Sequence, residues 1–161
     1  MQSTTNIYEK NDDHSSLICK TILGVELEIK YIDKVKYHFP TICMDVRESF
    51  KFSDSSYDIV ICTDVLEHLP LPSALYLLKD MKRIARKFVI IYTPRNFDPN
   101  GDNVKNAWEM GVNHLQEHKC LITQLLLEER DYKSEITDID NNIFGVWGKN
   151  KNLLANIIKK N

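Results

Sequence analysis

The chain is 161 residues long, 43% hydrophobic and 27% charged, a composition expected of one soluble globular domain with enough length for a real core. Its net charge of −2 disfavours a polyanion-binding protein, so nucleic acid is not the expected partner. No apolar run is long enough to span a bilayer, the polar first residues lack the apolar core of a secretory leader, and the dispersed cysteines Cys19, Cys43, Cys62 and Cys120 contain no C-x-x-C pair, which together fit a reducing cytoplasm.

In chain order, the polar residues 1–16 predict a flexible start, 17–150 the folded domain and 151–161 a tail, with a short helix over Leu153–Lys160. Thr21–Glu26 reads as a strand ending in an acid, Ile29–Tyr37 as a short helix, and Thr41–Met44 as a strand followed by Asp45. Ser53-Asp54-Ser55-Ser56 is a turn cluster. Asp58–Thr63 reads as a strand whose β-branched run, Ile59 to Thr63, is the signature of a buried parallel strand, and it stops at Asp64. Leu71–Arg86 carries apolar residues at helical spacing, with Pro72 suited to the first turn and Lys82, Arg83, Arg86 and Lys87 at the end where the dipole favours cations. Phe88–Tyr92 predicts a strand, Arg95–Val112 a long loop and Leu115–Glu129 a helix. Ser134–Ile139 and Ile143–Trp147 predict a closing antiparallel pair. Strands alternate with helices and then follow one another, so the expected fold class is α/β, a mostly parallel Rossmann-like sheet with an antiparallel C-terminal strand. Cys43 and Cys62 lie in apolar runs and are expected to be buried, and Trp147 is expected in the core.

Glu26, Asp45 and Asp64 each stand where an apolar run meets a loop. In open α/β sheets that edge binds ligands. A carboxylate there can accept from ribose hydroxyls or an adenine amino group, or face a cation. Asp is also an ordinary turn and cap residue, but three acids in succession favour a ligand.

The segment Tyr57-Asp58-Ile59-Val60 followed by Asp64-Val65-Leu66-Glu67-His68-Leu69 resembles the fourth strand and following loop of class I S-adenosylmethionine-dependent methyltransferases, in particular the small type 11 group. The resemblance covers roughly Thr21 to Asn96 and includes Ile91-Tyr92-Thr93-Pro94-Arg95-Asn96, similar to the family's fifth strand. It implies S-adenosylmethionine as cofactor, with Glu26 on the ribose, Asp45 and Val46 on the adenine, and Thr63 and Asp64 beside the methionine portion. Glu67 and His68 would face the substrate side, His68 as a base or a helix-entry residue. Asn113, Gln116 and His118 match an Asn-x-x-Gln-x-His run that shapes the acceptor site in some relatives, with His118 a base or a loop anchor.

The family's first strand ends in an acid and a glycine-rich turn, which lets the backbone approach the cofactor. Here no glycine precedes Gly24, so the first βα unit is expected to be reduced or absent. Such a sheet would leave edges for the N-terminus or for a homo- or hetero-oligomeric partner to cover. Two functions therefore stand against each other: methyl transfer to a small-molecule or other acceptor, and a degenerate or truncated methyltransferase-like domain with a non-catalytic binding role. His114-Leu115-Gln116-Glu117-His118 fits H-x-x-E-H, which on a helix would place two imidazoles on one face for a metal-dependent hydrolase. Short matches of this kind arise by chance, the remaining carboxylate ligand has no convincing context, and no metal is expected. A nicotinamide-dependent dehydrogenase would need the same missing glycine turn.

Overall fold

The computed structural model describes residues 22–27, 32, 40–48, 50–105, 111–138 and 140–152. The chain separates into two compact units, residues 1–48 and 49–161. The predicted helix Ile29–Tyr37, apart from Ile32, the predicted tail helix and Cys19 lie outside the described residues.

In the first unit, β1 (Gly24–Glu26) pairs in parallel with β2 (Thr41–Cys43), Glu26 opposite Cys43. The parallel register puts Glu26 and the residues after Cys43, including Asp45, at the same C-terminal edge. Cys43, expected inside, is exposed; its thiol donates to the Leu27 carbonyl at 3.1 Å. A three-residue strand in a two-stranded sheet has too little neighbouring surface to cover every apolar position.

The second unit holds a four-stranded sheet in the order β3 (Tyr57–Thr63), β4 (Ala85–Thr93), β6 (Ile143–Gly148), β5 (Lys133–Ile136). β3 and β4 run parallel, β6 antiparallel to β4, and β5 antiparallel to β6. With the parallel pair of the first unit, this is the expected α/β class.

β4 is the inner strand that organises the rest. Its alternate residues Val89, Ile91 and Thr93 are completely buried, as period-2 side-chain alternation requires of a core face. Helix α1 (Leu71–Ile84) covers them with Ala74, Leu77, Leu78, Met81 and Ile84. The spacing makes one apolar stripe, and each fully buried Leu or Met contributes roughly 1.5–3 kcal/mol. Pro70 and Pro72 open the helix where missing N–H groups cost nothing. At the other end, Ala85 turns to extended backbone while its N–H still bonds to Met81. The helix thus passes into β4 without a loop, and Ala85 and Arg86, predicted helical, are the first residues of the strand instead.

Arg83 and Asp80 anchor the segment that leads into β3. The Arg83 guanidinium donates to Asp80, Asp54 and the carbonyls of Phe50 and Phe52, and Asp80 also accepts from the Phe50 N–H at 3.1 Å. Trp147 is half-buried rather than in the core, with the Lys82 ammonium 5.4 Å from its ring centroid.

Two predicted elements differ. The loop Arg95–Val112 contains a short helix α2 (Gly101–Lys105). The predicted helix Leu115–Glu129 is instead a 3-10 turn at His114–Gln116, an extended run, and α3 (Gln124–Glu128). Each turn has its own cap, because Asn113 Oδ1 accepts from the Leu115 N–H and Thr123 Oγ1 accepts from the Leu126 N–H. Between them Glu117 is extended, and the N–H groups of Lys119 and Cys120 both donate to the Glu67 carbonyl, at 2.6 and 3.2 Å. Tertiary hydrogen bonds replace helical ones, so the apolar periodicity in this stretch does not become one helix.

Candidate active site

The C-terminal edge of β3 and β4 gathers the chemistry of the second unit. β3 ends at Thr63, which is exposed, and Asp64 follows in a left-handed conformation, φ 51°. Asp tolerates that region better than most residues because its short polar side chain can bond locally. The Asp64 N–H still donates to the Tyr92 carbonyl at 3.0 Å, so the chain leaves the sheet only after the acid has been placed at its rim. Burial raises the Asp64 pKa, opposed by the nearby imidazoles of His68 and His118.

Residues Leu66–His68 then form a 3-10 turn that carries Glu67 inward. Glu67 is 2% exposed. Thr93, at the end of β4, donates to Glu67 Oε2 at 3.1 Å. Burial pushes the carboxyl up to about 7, because a low-dielectric setting disfavours its charged form. A carboxyl whose charged form is disfavoured by burial, with one oxygen bonded to Thr93, is suited to proton exchange or to a cation.

His68 sits beside it, half-buried, with Nδ1 3.2 Å from the Glu117 carbonyl. A carbonyl only accepts, so Nδ1 carries the hydrogen and Nε2 keeps its lone pair. Burial lowers the His68 pKa, which favours the neutral ring. The His118 ring meets it edge to face, with centroids 4.9 Å apart and planes at 66°. Glu67, His68 and His118 each present a donor atom within 4.8 Å of the others. Among the described residues this is the only such trio of His, Cys, Asp or Glu.

The other predicted site residues fall as follows. His114 and Glu117 face each other at 3.2 Å on an exposed turn, not on successive turns of a helix, so the H-x-x-E-H arrangement is not formed; His118 belongs to the Glu67–His68 cluster instead. Asn113 is buried, and its side-chain oxygen caps the turn. Gln116 is half-buried and offers its carbonyl to Asn100 Nδ2 at 2.9 Å. In the first unit, Glu26 Oε1 accepts from the Leu27 N–H at 2.7 Å. Arg47 clasps Asp45 through both carboxylate oxygens and holds its pKa down, and Val46 is half-buried in the same turn. Cys62 beneath the rim is buried, its thiol raised to about 12 by desolvation, which leaves it inert.

Thr93 is the partner that sequence reasoning did not place in the site, and Glu67, expected to face the substrate side, turns inward. The available signal was an acid and an imidazole in adjacent positions directly after a strand-end acid. What their neighbourhood would be depended on β4 lying alongside β3.

The family described as "Methyltransferase domain" matches residues 11–92, just over half of the 161-residue chain. The chain belongs to the methyltransferase-domain family. Solved structures agree in fold. A SAM-dependent methyltransferase from Archaeoglobus fulgidus is 16% identical, with a TM-score of 0.58 over 79% of this chain and 75% of its own. Magnesium protoporphyrin IX methyltransferase from Synechocystis PCC 6803, solved with bound SAH, is 13% identical with a TM-score of 0.54, covering 81% of this chain and 64% of its own. A protein described as a putative Zn-dependent alcohol dehydrogenase from Rhodobacter sphaeroides is 8% identical with a TM-score of 0.56, over 78% of this chain and 74% of its own. At such identities the likeness shows the fold alone. No curated protein matches the chain. Among the described residues, the methyltransferase domain has no helix long and apolar enough to cross a membrane.

Proposed function

We propose that this methyltransferase domain uses S-adenosylmethionine to methylate an acceptor held over the C-terminal edge of β3 and β4. The observation that carries the reading is the convergence of Asp64, Glu67, His68 and His118 at that edge, in a chain of this family. The residues fit such a cofactor in kind: Glu26 and Asp45 occupy one C-terminal edge in the first unit, and Asp64 is exposed at the edge in the second. Acids at these places suit ribose hydroxyls, an adenine amino group and a sulfonium cation. Glu26, Asp45, Val46, Thr63 and Asp64 are the proposed cofactor contacts, each open to test separately.

When bound, the cofactor supplies a methyl group on a positively charged sulfur. The protein's contribution is to align the acceptor and exclude water. His68, neutral and with its Nε2 lone pair free of the Glu117 carbonyl, takes the proton of an O–H or N–H acceptor. His118 lies against it, and Asp64 favours the resulting imidazolium. Asn113 positions this loop through its cap, and Gln116 stands on the acceptor side. The acceptor is a compound with an ionisable hydroxyl or amine.

The test is calorimetric titration of the purified chain with S-adenosylhomocysteine, repeated on Glu26→Ala, Asp45→Ala and Asp64→Ala. Micromolar binding weakened at least about tenfold in these variants is the expected result, each charged contact contributing on the order of 1.5–3 kcal/mol. No heat of binding from a folded protein would overturn the reading in favour of a non-catalytic binding domain.

A further inference from the structure

We propose that Glu67, His68 and His118 form a binding site for one divalent transition-metal cation, of the kind represented by zinc, cobalt or manganese. The donor set decides the class. Two imidazoles and a carboxylate suit borderline first-row cations, whereas all-oxygen sites suit calcium and magnesium.

The geometry is that of a site close to assembly. The donor atoms lie within 4.8 Å of one another, and a cation about 2.0–2.2 Å from each requires separations of roughly 3–3.5 Å. Closing that difference requires rotation of the side chains about backbone positions that are themselves tied together. The Glu67 carbonyl accepts from Lys119 and Cys120, which pins the His118 segment onto the turn that carries Glu67 and His68. The surrounding bonds also match what a metal-binding histidine needs. The Glu117 carbonyl, 3.2 Å from His68 Nδ1, sets that nitrogen as the protonated one, and a backbone carbonyl is the usual second partner of a metal-bound imidazole. Thr93 donates to Glu67 Oε2, which orients the carboxylate that would meet the cation. Asp64, three positions before Glu67, adds a negative charge that both imidazoles feel.

Three protein donors leave at least one coordination position for a substrate atom or water, the pattern of a catalytic rather than a structural site. The cation site itself stands without the methyl-transfer reading; its chemical consequence rests on that reading. With its Nε2 lone pair on the cation, His68 is a ligand and not the base in the loaded site; an acceptor hydroxyl bound at the open position instead loses its proton to solvent, more readily because the cation stabilises the oxyanion. The O–CH3 bond then forms as the CH3–S bond breaks, the electron pair returns to sulfur, and a neutral thioether leaves.

The experiment is titration of the chelator-treated, full-length chain with Zn2+ by calorimetry and with Co2+ by visible absorption, together with thermal melts. The expected result is one cation per chain with a dissociation constant below about 10 µM, and cobalt ligand-field bands. His68→Gln and His118→Gln each weaken binding at least about tenfold, while His114→Gln binds as the parent does. Circular dichroism establishes that each variant is folded. Should a variant fail to fold, the parent alone decides: Co2+ must shift the ring resonances of two histidines paramagnetically. No binding by the folded parent, unchanged binding in His68→Gln or His118→Gln, or loss in His114→Gln would overturn the proposal. Cofactor titration is a separate measurement, so failure of the cation site and failure of the methyl-transfer reading are distinguishable.

Discussion

The imidazoles of His68 and His118 meet edge to face, with centroids 4.9 Å apart. They come from distant parts of the chain, and what joins them is backbone: the Glu67 carbonyl takes two N–H groups from the residues that follow His118. Because an aromatic ring shifts the resonances of protons lying against it, His118→Ala should move the ring-proton signals of His68 in the NMR spectrum, whereas His114→Ala, an exposed change, should leave them in place. Unmoved His68 signals in His118→Ala would mean that the two rings are not in contact.

Thr93 is completely buried and is the side-chain donor to Glu67. Thr93→Val keeps the shape and deletes the hydroxyl. Leaving a buried carboxyl oxygen without this donor should cost about 1–3 kcal/mol. A urea melt should show a lower midpoint at unchanged slope.

Arg83 binds two carboxylates and two carbonyls at once. An ammonium cannot reproduce that planar fork, so Asp80, 7% exposed at its side chain, would compete with Asp54 and the two carbonyls for one point charge. Arg83→Lys should lower the melting temperature, less than the loss of a fully buried pair would, because the guanidinium is one-third exposed. Thermal denaturation checks it, and Lys79→Arg, at an exposed position of the same helix, should be neutral.

Gly145 faces α3 across β6. A Cβ there would lie 3.1 Å from Leu127 Cδ1 and 3.6 Å from Ile91 Cβ, and both side chains are fully buried. Gly145→Val therefore overpacks the core and should cost about 1–3 kcal/mol, read from the shift in denaturant midpoint.

Asp58 is held down to about 2 by hydrogen bonds from Arg86 and Lys87. Its folded pKa lies below its ordinary value of 3.8. The stabilisation is therefore complete above about pH 4 and disappears as the pH falls through about 2. Asp58→Asn should lower stability at pH 6 but leave it nearly unchanged at pH 2. Equal effects of the substitution at both pH values would show that the ion pairs contribute nothing.

Much of the second unit could be read from local pattern. The β-branched run before Asp64 announces a strand, and the apolar stripe of α1 announces a helix packed on a sheet. In Leu115–Glu129 the apolar residues carried enough helical period to hide the break before the cap at Thr123. The extended run through Glu117 is dictated by Glu67, which no window around residue 117 contains.

The amino-acid sequence by itself determined the α/β class, the acids at the strand ends and the family, because β-branched runs, helical periodicity and acid-ended strands are short-range signals. Only the tertiary structure decided that His118 belongs with Glu67 and His68 rather than with His114, and that Thr93 supports them. Those relationships depend on parallel pairing of β3 with β4 and on backbone hydrogen bonds between segments far apart in the chain, and neither leaves a local trace in residue order.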